Sequence, residues 1–311
     1  MAGHRGLLGS ALVRELKRRN AGDIICRTRG ELDLREQGAV RDFMRTERPD
    51  TVFIAAAIVG GIHANNVRPW EFLYENLLIQ NNILGCCHEM DLPRVVFFGS
   101  SCVYPREAKQ PIKEEYLLTG PLEPTNAAYA VAKIAGLKMV DAANAQYGRN
   151  WLSLMPTNLY GPGDNFDLNS SHVLPAFIRK FHDAKTTLTG SNPGGVKLWG
   201  SGKPRREFLH VDDLAKAAVD LLERAARGMY NVGYGSDVTI RELAELVQRV
   251  VGYDGTVSWD ASRPDGTPRK LLDSSRVLAT GWRPNISLED GISQTYEWFL
   301  EEHVLTGGRE R

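Results

Sequence analysis

An α/β fold, a doubly wound parallel sheet with a smaller C-terminal α/β substrate-binding domain, follows from three features of this 311-residue chain. Apolar runs of strand length alternate with helical patterns through the first half, which argues for parallel strands joined by crossover helices. A glycine-spaced segment, Gly3-His4-Arg5-Gly6-Leu7-Leu8-Gly9, opens a helix at the N-terminus. The buried-strand run Val95-Val96-Phe97-Phe98 ends directly in Gly99-Ser100-Ser101-Cys102, which delivers hydroxyls and a thiol at a strand end.

Bulk properties exclude several classes. The chain is long enough for one large core or two modest ones. Lys plus Arg and Asp plus Glu number 38 each, so the formal net charge is zero. That argues against a general nucleic-acid or acidic-membrane binder. No apolar run approaches the roughly 20 residues of a membrane span, and no basic-then-apolar leader opens the chain. Cys26, Cys86, Cys87 and Cys102 include an adjacent pair but no CxxC, and the histidines show no HxxxH spacing. No disulfide framework or metal site is expected, and a reduced, cytoplasmic setting is.

The N-terminal GxxGxxG lets the backbone approach a pyrophosphate seated on the helix N-terminus, so the segment reads as dinucleotide-binding and the sheet as Rossmann-type. Ile24-Ile25-Cys26 reads as the next strand. NAD enzymes usually place an acid after that strand; Arg27-Thr28-Arg29 stands there instead. Guanidiniums suit a 2′-phosphate, so NADP(H) is the expected cofactor. The glycine segment should follow a buried strand of roughly five or six residues, yet only Met1 and Ala2 precede Gly3. The first strand is therefore expected to be missing: either the true start lies upstream, or the chain is truncated and unstable or inactive.

Leu34 to Arg45 reads as a helix and Thr51 to Ala55 as a strand. The small residues from Ala56 to Gly61 permit close approach of a cofactor. Pro69 to Met90 and Ala127 to Tyr147 read as long helices, with Trp151 to Met155 as the strand after them. Beyond Gly161 the rhythm changes. Residues 163–171 read as loop, and a helix begins at His172-Val173 with Ser171 as its cap. Arg179, Lys180, Lys197, Trp199, Arg205 and Arg206 gather basic and aromatic character. A helix from Leu214 to Ala226 and a strand at Tyr230 to Val232 return to the main sheet. Thr239 begins another helix, residues 263–270 form a loop, Leu288 to Leu300 is a last amphipathic helix, and residues after Val304 form a frayed tail. Two interleaved domains are expected: 1–160 with 207–235, and 161–206 with 236–311.

Tyr129 and Lys133, at i and i+4, share one helix face. A nearby ammonium favours the phenolate, which lowers the Tyr pKa from about 10. Such a Tyr passes a proton to a carbonyl oxygen while a hydride reaches its carbon, and the Ser100 hydroxyl can hydrogen-bond the same oxygen. A plainer alternative is a Tyr and a Lys on a solvated helix face. The glycine-rich opening and the strand-end Ser-Ser in the same chain favour the reductase.

Gly99-Ser-Ser-Cys-Val-Tyr-Pro105, Glu123-Pro-Thr-Asn126 and Tyr129-Ala-Val-Ala-Lys-Ile-Ala-Gly136 resemble the extended short-chain dehydrogenase/reductase family. The resemblance runs from about Gly3 to about Glu301. Ser100 is the matching reductase Ser because it stands four residues before Tyr104. Cys102 beside it resembles the branch that takes GDP-4-keto-6-deoxy-D-mannose to GDP-L-fucose by 3,5-epimerisation and 4-keto reduction. The resemblance implies Cys102 as the base and His172 as the acid at C3 and C5, both with reference pKa values suited to proton exchange near pH 7. It implies Tyr129 as the proton donor at the C4 oxygen, with Lys133 on the cofactor ribose.

The same resemblance implies a cofactor site of Gly3, His4, Arg5, Gly6, Leu7, Leu8, Gly9, Arg29 and Leu34 at one end. At the other end it implies Phe98, Gly99, Ser100, Ser101, Lys133, Pro156, Thr157, Asn158, Leu159 and His172. Lys180, Trp199, Arg206 and Asp265 are the implied substrate ligands, with Arg206 gripping the diphosphate. A homodimer through the helices at 69–90 and 127–147 is implied too. So is a first strand lying between the strands at 24–27 and 51–55 on one side and 94–98 on the other. Ile58 and Lys180 depart from the family, which usually carries Lys and Arg there. A 4-epimerase or simple 4-reductase would keep Ser100, Tyr129 and Lys133 without needing Cys102 and His172 together. An NADP-binding regulatory protein on the same fold is the rival of another class.

Overall fold

The computed structural model describes residues 1–187, 195–262 and 265–305. Helix α1 (Leu7–Arg18) starts straight after the glycine-spaced turn, with Gly6 extended at its N-cap. Lys17 and Arg18 in its last turn complement the helix dipole. Helix α2 (Gln37–Glu47), strand β1 (Thr51–Ile54) and the short helix α3 (Ile62–Val67) follow. Helix α4 (Pro69–Glu89) begins on Pro69, whose missing N–H costs nothing in a first turn. Strand β2 (Arg94–Phe98), helix α5 (Ala127–Tyr147) and strand β3 (Leu152–Pro156) continue the alternation. Then come β4 (Asn158–Tyr160), α6 (Val173–Thr187), β5 (Val196–Trp199), β6 (Arg205–Arg206) and β7 (Phe208–His210). Helix α7 (Val211–Glu223), β8 (Gly228–Val232), β9 (Val238–Thr239), α8 (Ile240–Val251) and β10 (Val257–Asp260) follow. The last elements are β11 (Arg269–Lys270), α9 (Ser275–Leu278), α10 (Leu288–Phe299) and a π-helical turn, Leu300–Leu305.

The central sheet runs β1-β2-β3-β8, all parallel, with Thr51 opposite Arg94, Val96 opposite Leu152 and Leu152 opposite Gly228. Two expectations about its open edge are corrected. Strand β1 lies between Ala2 and β2, so Ala2 is not flanked by the 94–98 strand. Residues 24–26 form no strand. Met1 and Ala2 explain both. Ala2 exchanges backbone hydrogen bonds with Phe53 and Ala55 at 3.0 and 3.1 Å. The Met1 ammonium donates to the Ile25 carbonyl at 2.8 Å. Two residues bridge the gap at isolated points but supply no ladder, so 24–26 is not a strand.

Other boundaries shift for local reasons. Helix α2 starts after Leu34 because the Asp33 side chain turns back on the Arg35 N–H at 3.0 Å. Helix α7 starts at Val211 and not at Leu214, because the His210 ring caps it by accepting from the Asp212 N–H. Ser171 does not cap α6: its hydroxyl has no partner, and the residue next to the helix is His172, whose carbonyl accepts from Ala176. Arg269 and Lys270 pair as a strand where a loop was expected. Residues 263–264 of that loop and 306–311 of the expected tail lie outside the described residues.

Three apolar cores hold these layers. On one sheet face Ile79, Leu84, Leu137 and Val140 of α4 and α5 pack with Val95 and Phe97. On the other, Ala11 and Leu12 of α1 and Leu214 and Ala218 of α7 pack with Val96 and Leu154. A third core away from the sheet joins Phe177 and Phe181 of α6, Val247 of α8 and Phe299 of α10. Thr239 opens α8 with a reciprocal cap to Glu242, a device worth about 1 kcal/mol.

Candidate active site

The cofactor end is set by three glycines with different jobs. Gly3 has φ 84°, and a Cβ there would lie 2.7 Å from the Ala56 nitrogen. A Cβ on Gly9 would lie 1.9 Å from the Gly3 carbonyl oxygen. A Cβ on Gly6 would meet only the Gly3 carbonyl oxygen, at an ordinary contact distance of 3.5 Å, beside the amides of the first turn of α1. A pyrophosphate fits that cradle, held by backbone N–H groups and the helix dipole. Leu7 and Leu8 anchor the helix start in the core beneath it. Beside the cradle, burial and the neighbouring Arg5 charge push the His4 imidazole below its ordinary value, so it stands neutral at pH 7.

The two-guanidinium reading of residues 27–29 is corrected. Arg27 donates to Glu47 at 2.6 Å and lies over the Phe43 ring, so its charge is taken. Arg29 has a largely exposed side chain and only a 3.9 Å contact to Asp33. Leu34 offers its carbonyl to Asn82 at 3.0 Å, which fixes the loop behind Arg29. Arg29→Ala is expected to cut the NADPH-over-NADH preference in kcat/KM roughly ten- to a hundred-fold, the scale of a charged hydrogen bond. Steady-state assays with both cofactors check this.

At the strand end, Gly99 donates to the Leu154 carbonyl and Ser101 is buried. Ser100 caps the short helical turn 101–103, its hydroxyl accepting from the Cys102 N–H at 3.3 Å and standing beside the Tyr129 hydroxyl. Helix α5 presents Tyr129 and Lys133 on one face. Lys133, 5% exposed, donates to the Phe98 carbonyl at 2.9 Å and lies 5.9 Å above the Tyr129 ring. The expected lowering of the Tyr129 pKa is not found. Burial pushes the phenol up, the Cys102 side adds to this, and the Ser100 hydrogen bond opposes it. The ammonium that was to stabilise a phenolate is itself disfavoured by burial and pushed down to about 8. Tyr129 therefore holds its proton, as a donor must.

The Lys133 shift sets a pH dependence. Its ammonium is present below about pH 8 and is lost as pH rises through that value. NADPH affinity, followed by nucleotide fluorescence between about pH 6.5 and 9.5, is expected to weaken across that step. In Lys133→Met the step should vanish.

Cys102 is where the two halves of the chain meet. The Asn126 amide donates to its sulfur at 3.3 Å, and the Lys270 ammonium stands at 3.8 Å. Neither residue was singled out from the sequence, although both lie inside quoted segments. Lys270 pairs in register with Arg206 across β11 and β6. Arg206 lies in the electrostatic reach of Cys102 and Asp265. His172 is open to solvent, while desolvation by the surrounding protein and the Lys270 charge hold its imidazole below its ordinary value. The structure thus brings together Ser100, Cys102, Tyr129, Lys133 and Arg206, with His172 in the field of Lys270.

The outer ligands are more dispersed. Lys180 lies 5.5 Å above the Trp199 ring, which is 61% exposed. Both Asp265 oxygens are engaged by Ser201, at 2.9 Å from its N–H and 2.6 Å from its hydroxyl, so this carboxylate already ties a turn. Pro156 ends β3, and after it Thr157 and Asn158 both donate to the Glu207 carbonyl, at 3.1 and 2.8 Å. Leu159 packs against the second core. Ile58 is held through its backbone by the Asn76 amide, a tie indifferent to its side chain. No cluster among the described residues could hold a metal ion, and no helix among them is long and apolar enough to cross a membrane.

The profile of the NAD dependent epimerase/dehydratase family matches residues 1–233. GDP-L-fucose synthase of Escherichia coli (strain K12) is 52% identical, over 97% of this chain and 96% of the relative. Among solved structures, a GDP-6-OMe-4-keto-L-xylo-heptose reductase from C. jejuni superposes with TM-score 0.89 at 39% identity, covering 96% of each chain. A GDP-L-fucose synthetase from Naegleria fowleri bound to NADP superposes with TM-score 0.87 at 27% identity, covering 99% of this chain and 95% of that one.

Proposed function

We propose that this chain, which belongs to the NAD dependent epimerase/dehydratase family, is an NADP(H)-dependent GDP-L-fucose synthase acting on GDP-4-keto-6-deoxy-D-mannose. One observation supports the reading most: a thiol contacted by the Asn126 amide and the Lys270 ammonium sits beside Ser100, Tyr129 and Lys133. A plain reductase has no use for that thiol.

The C4 carbonyl of such a sugar acidifies the protons at C3 and C5. Cys102 takes a proton from one face, and His172 returns one to the other. The negative charge that develops on the C4 oxygen lies toward the Ser100 and Tyr129 hydroxyls. The substrate diphosphate, gripped by Arg206 with Lys180 as a point charge, offsets the Lys270 field and lets His172 carry its proton. Bound NADPH supplies a hydride to C4. Tyr129 then gives its proton to the C4 oxygen, Ser100 having oriented it, while Lys133 holds the cofactor ribose and restores the charge balance.

The test is NADPH oxidation with the 4-keto-6-deoxyhexose carried on GDP and on UDP, with the product identified by NMR. Turnover of the GDP sugar to GDP-L-fucose is the expected result. NADPH oxidation that leaves C3 and C5 unchanged would move the assignment to a simple 4-reductase.

A homodimer is part of the same proposal. Trp70 and Tyr74 stack at 5.1 Å on α4, exposed at 68% and 47%, and Val67 of α3 and Val131 of α5 are exposed as well. A second copy of α4 and α5 would cover these side chains, as sedimentation equilibrium can show.

A further inference from the structure

Glu207 stands at a joint between two small sheets. Its predecessor Arg206 belongs to β6 and pairs with Lys270, while its successor Phe208 belongs to β7 and pairs with Asn158. The residue is wholly buried. One carboxylate oxygen accepts from the Gly235 N–H at 2.7 Å and the other from the Leu272 N–H at 3.1 Å. Its own N–H points to the Lys270 carbonyl at 3.4 Å, and its carbonyl accepts from Thr157 and Asn158. A Cβ on residue 233 would come within 2.3 Å of the carboxylate, so Gly233 leaves the space the side chain occupies.

A buried carboxylate is expensive unless its oxygens are hydrogen-bonded, and here backbone N–H groups from separate loops do this. Those loops are the ones that matter to the site. Leu272 lies two residues after Lys270, so the bond to its N–H ties the backbone that carries the Lys270 side chain. The carbonyl side fixes the loop at 157–158. We propose that Glu207 is a positioning residue: it holds the 269–272 segment so that Lys270 stays against the Cys102 sulfur, and it locks that segment to the loop at 157–158. Glu207 itself touches no reacting atom. This assignment rests on the proposed function for its meaning in catalysis, but not for its test.

The test reads the sulfur directly. Full-length protein is alkylated with iodoacetamide across about pH 6–9, and modification at Cys102 is followed by peptide mass spectrometry. Wild type, Glu207→Gln, Lys270→Met and the double variant are compared. In the Gln variant an NH2 group faces a backbone N–H, so one tie must open. Loss of the ammonium beside the sulfur is expected to slow Cys102 alkylation at pH 7 roughly tenfold. Glu207→Gln should do nearly the same, with NADPH affinity unchanged. Because Glu207 acts through Lys270, the double variant should be no slower than Lys270→Met alone.

Wild-type alkylation in Glu207→Gln, or losses that multiply in the double variant, would overturn the assignment. If Glu207→Gln does not fold, Gly233→Ala displaces the same carboxylate without removing it and should slow alkylation in the same way. Loss of the fold in both would reduce Glu207 to a structural residue and also overturn it. The proposed function fails separately, if wild type does not turn over the GDP sugar, and the alkylation series still decides the role of Glu207.

Discussion

Tyr129→Phe is expected to lower NADPH oxidation by roughly a hundred- to ten-thousand-fold, the range general acid catalysis supplies. The phenol is the group that burial keeps protonated and that Ser100 orients. Removing only its oxygen leaves the ring in its edge-on contact with Phe72 and leaves Lys133 on the Phe98 carbonyl. The fold and the NADPH affinity should therefore survive. Exchange of deuterium from solvent into the sugar should remain detectable, because Cys102 keeps its contacts with Asn126 and Lys270. The measurement is stopped-flow NADPH absorbance beside NMR of recovered sugar nucleotide. Normal oxidation in this variant would remove Tyr129 from the mechanism.

Cys102→Ser separates the other half. An alcohol is a far weaker acid than a thiol, so its anion is not available near pH 7. The serine hydroxyl still accepts from Asn126, which favours an intact site. Deuterium incorporation at C3 and C5 should fall by roughly a hundred- to ten-thousand-fold. NADPH binding should not change, since no contact of Cys102 reaches the glycine cradle. Incorporation at the wild-type rate would refute the thiol as base.

What the sequence could say followed range. The glycine segment and the Tyr129–Lys133 pair are local patterns, and α1 and α5 formed where their spacing placed them. Lys270 reaches Cys102 across 168 residues, and no spacing rule joins a strand-end thiol to a late two-residue strand. Asn126 was visible as part of a motif, but only the turn after β2 shows that its amide donates to sulfur.

Charge misled in a similar way. Arg27 and Arg29 looked alike until Glu47, twenty residues on, was seen to take one of them. Lys133 was expected to acidify Tyr129; burial weakens the ammonium and strengthens the phenol's hold on its proton, and burial is a tertiary quantity. At the sheet edge, the pairing of Ala2 with Ile54 decided the position of β1, and a single bridge leaves no periodic signal.

The central claim is that one cleft performs both proton exchange and carbonyl reduction. The most direct measurement is a single turnover of GDP-4-keto-6-deoxy-D-mannose with NADPH in D2O, with NMR of the product at C3, C4 and C5. The account predicts GDP-L-fucose carrying deuterium at C3 and C5 and hydrogen from the cofactor at C4, all in the same molecules. A C4-reduced product with undeuterated C3 and C5 would contradict it, as would exchange with no NADPH consumed.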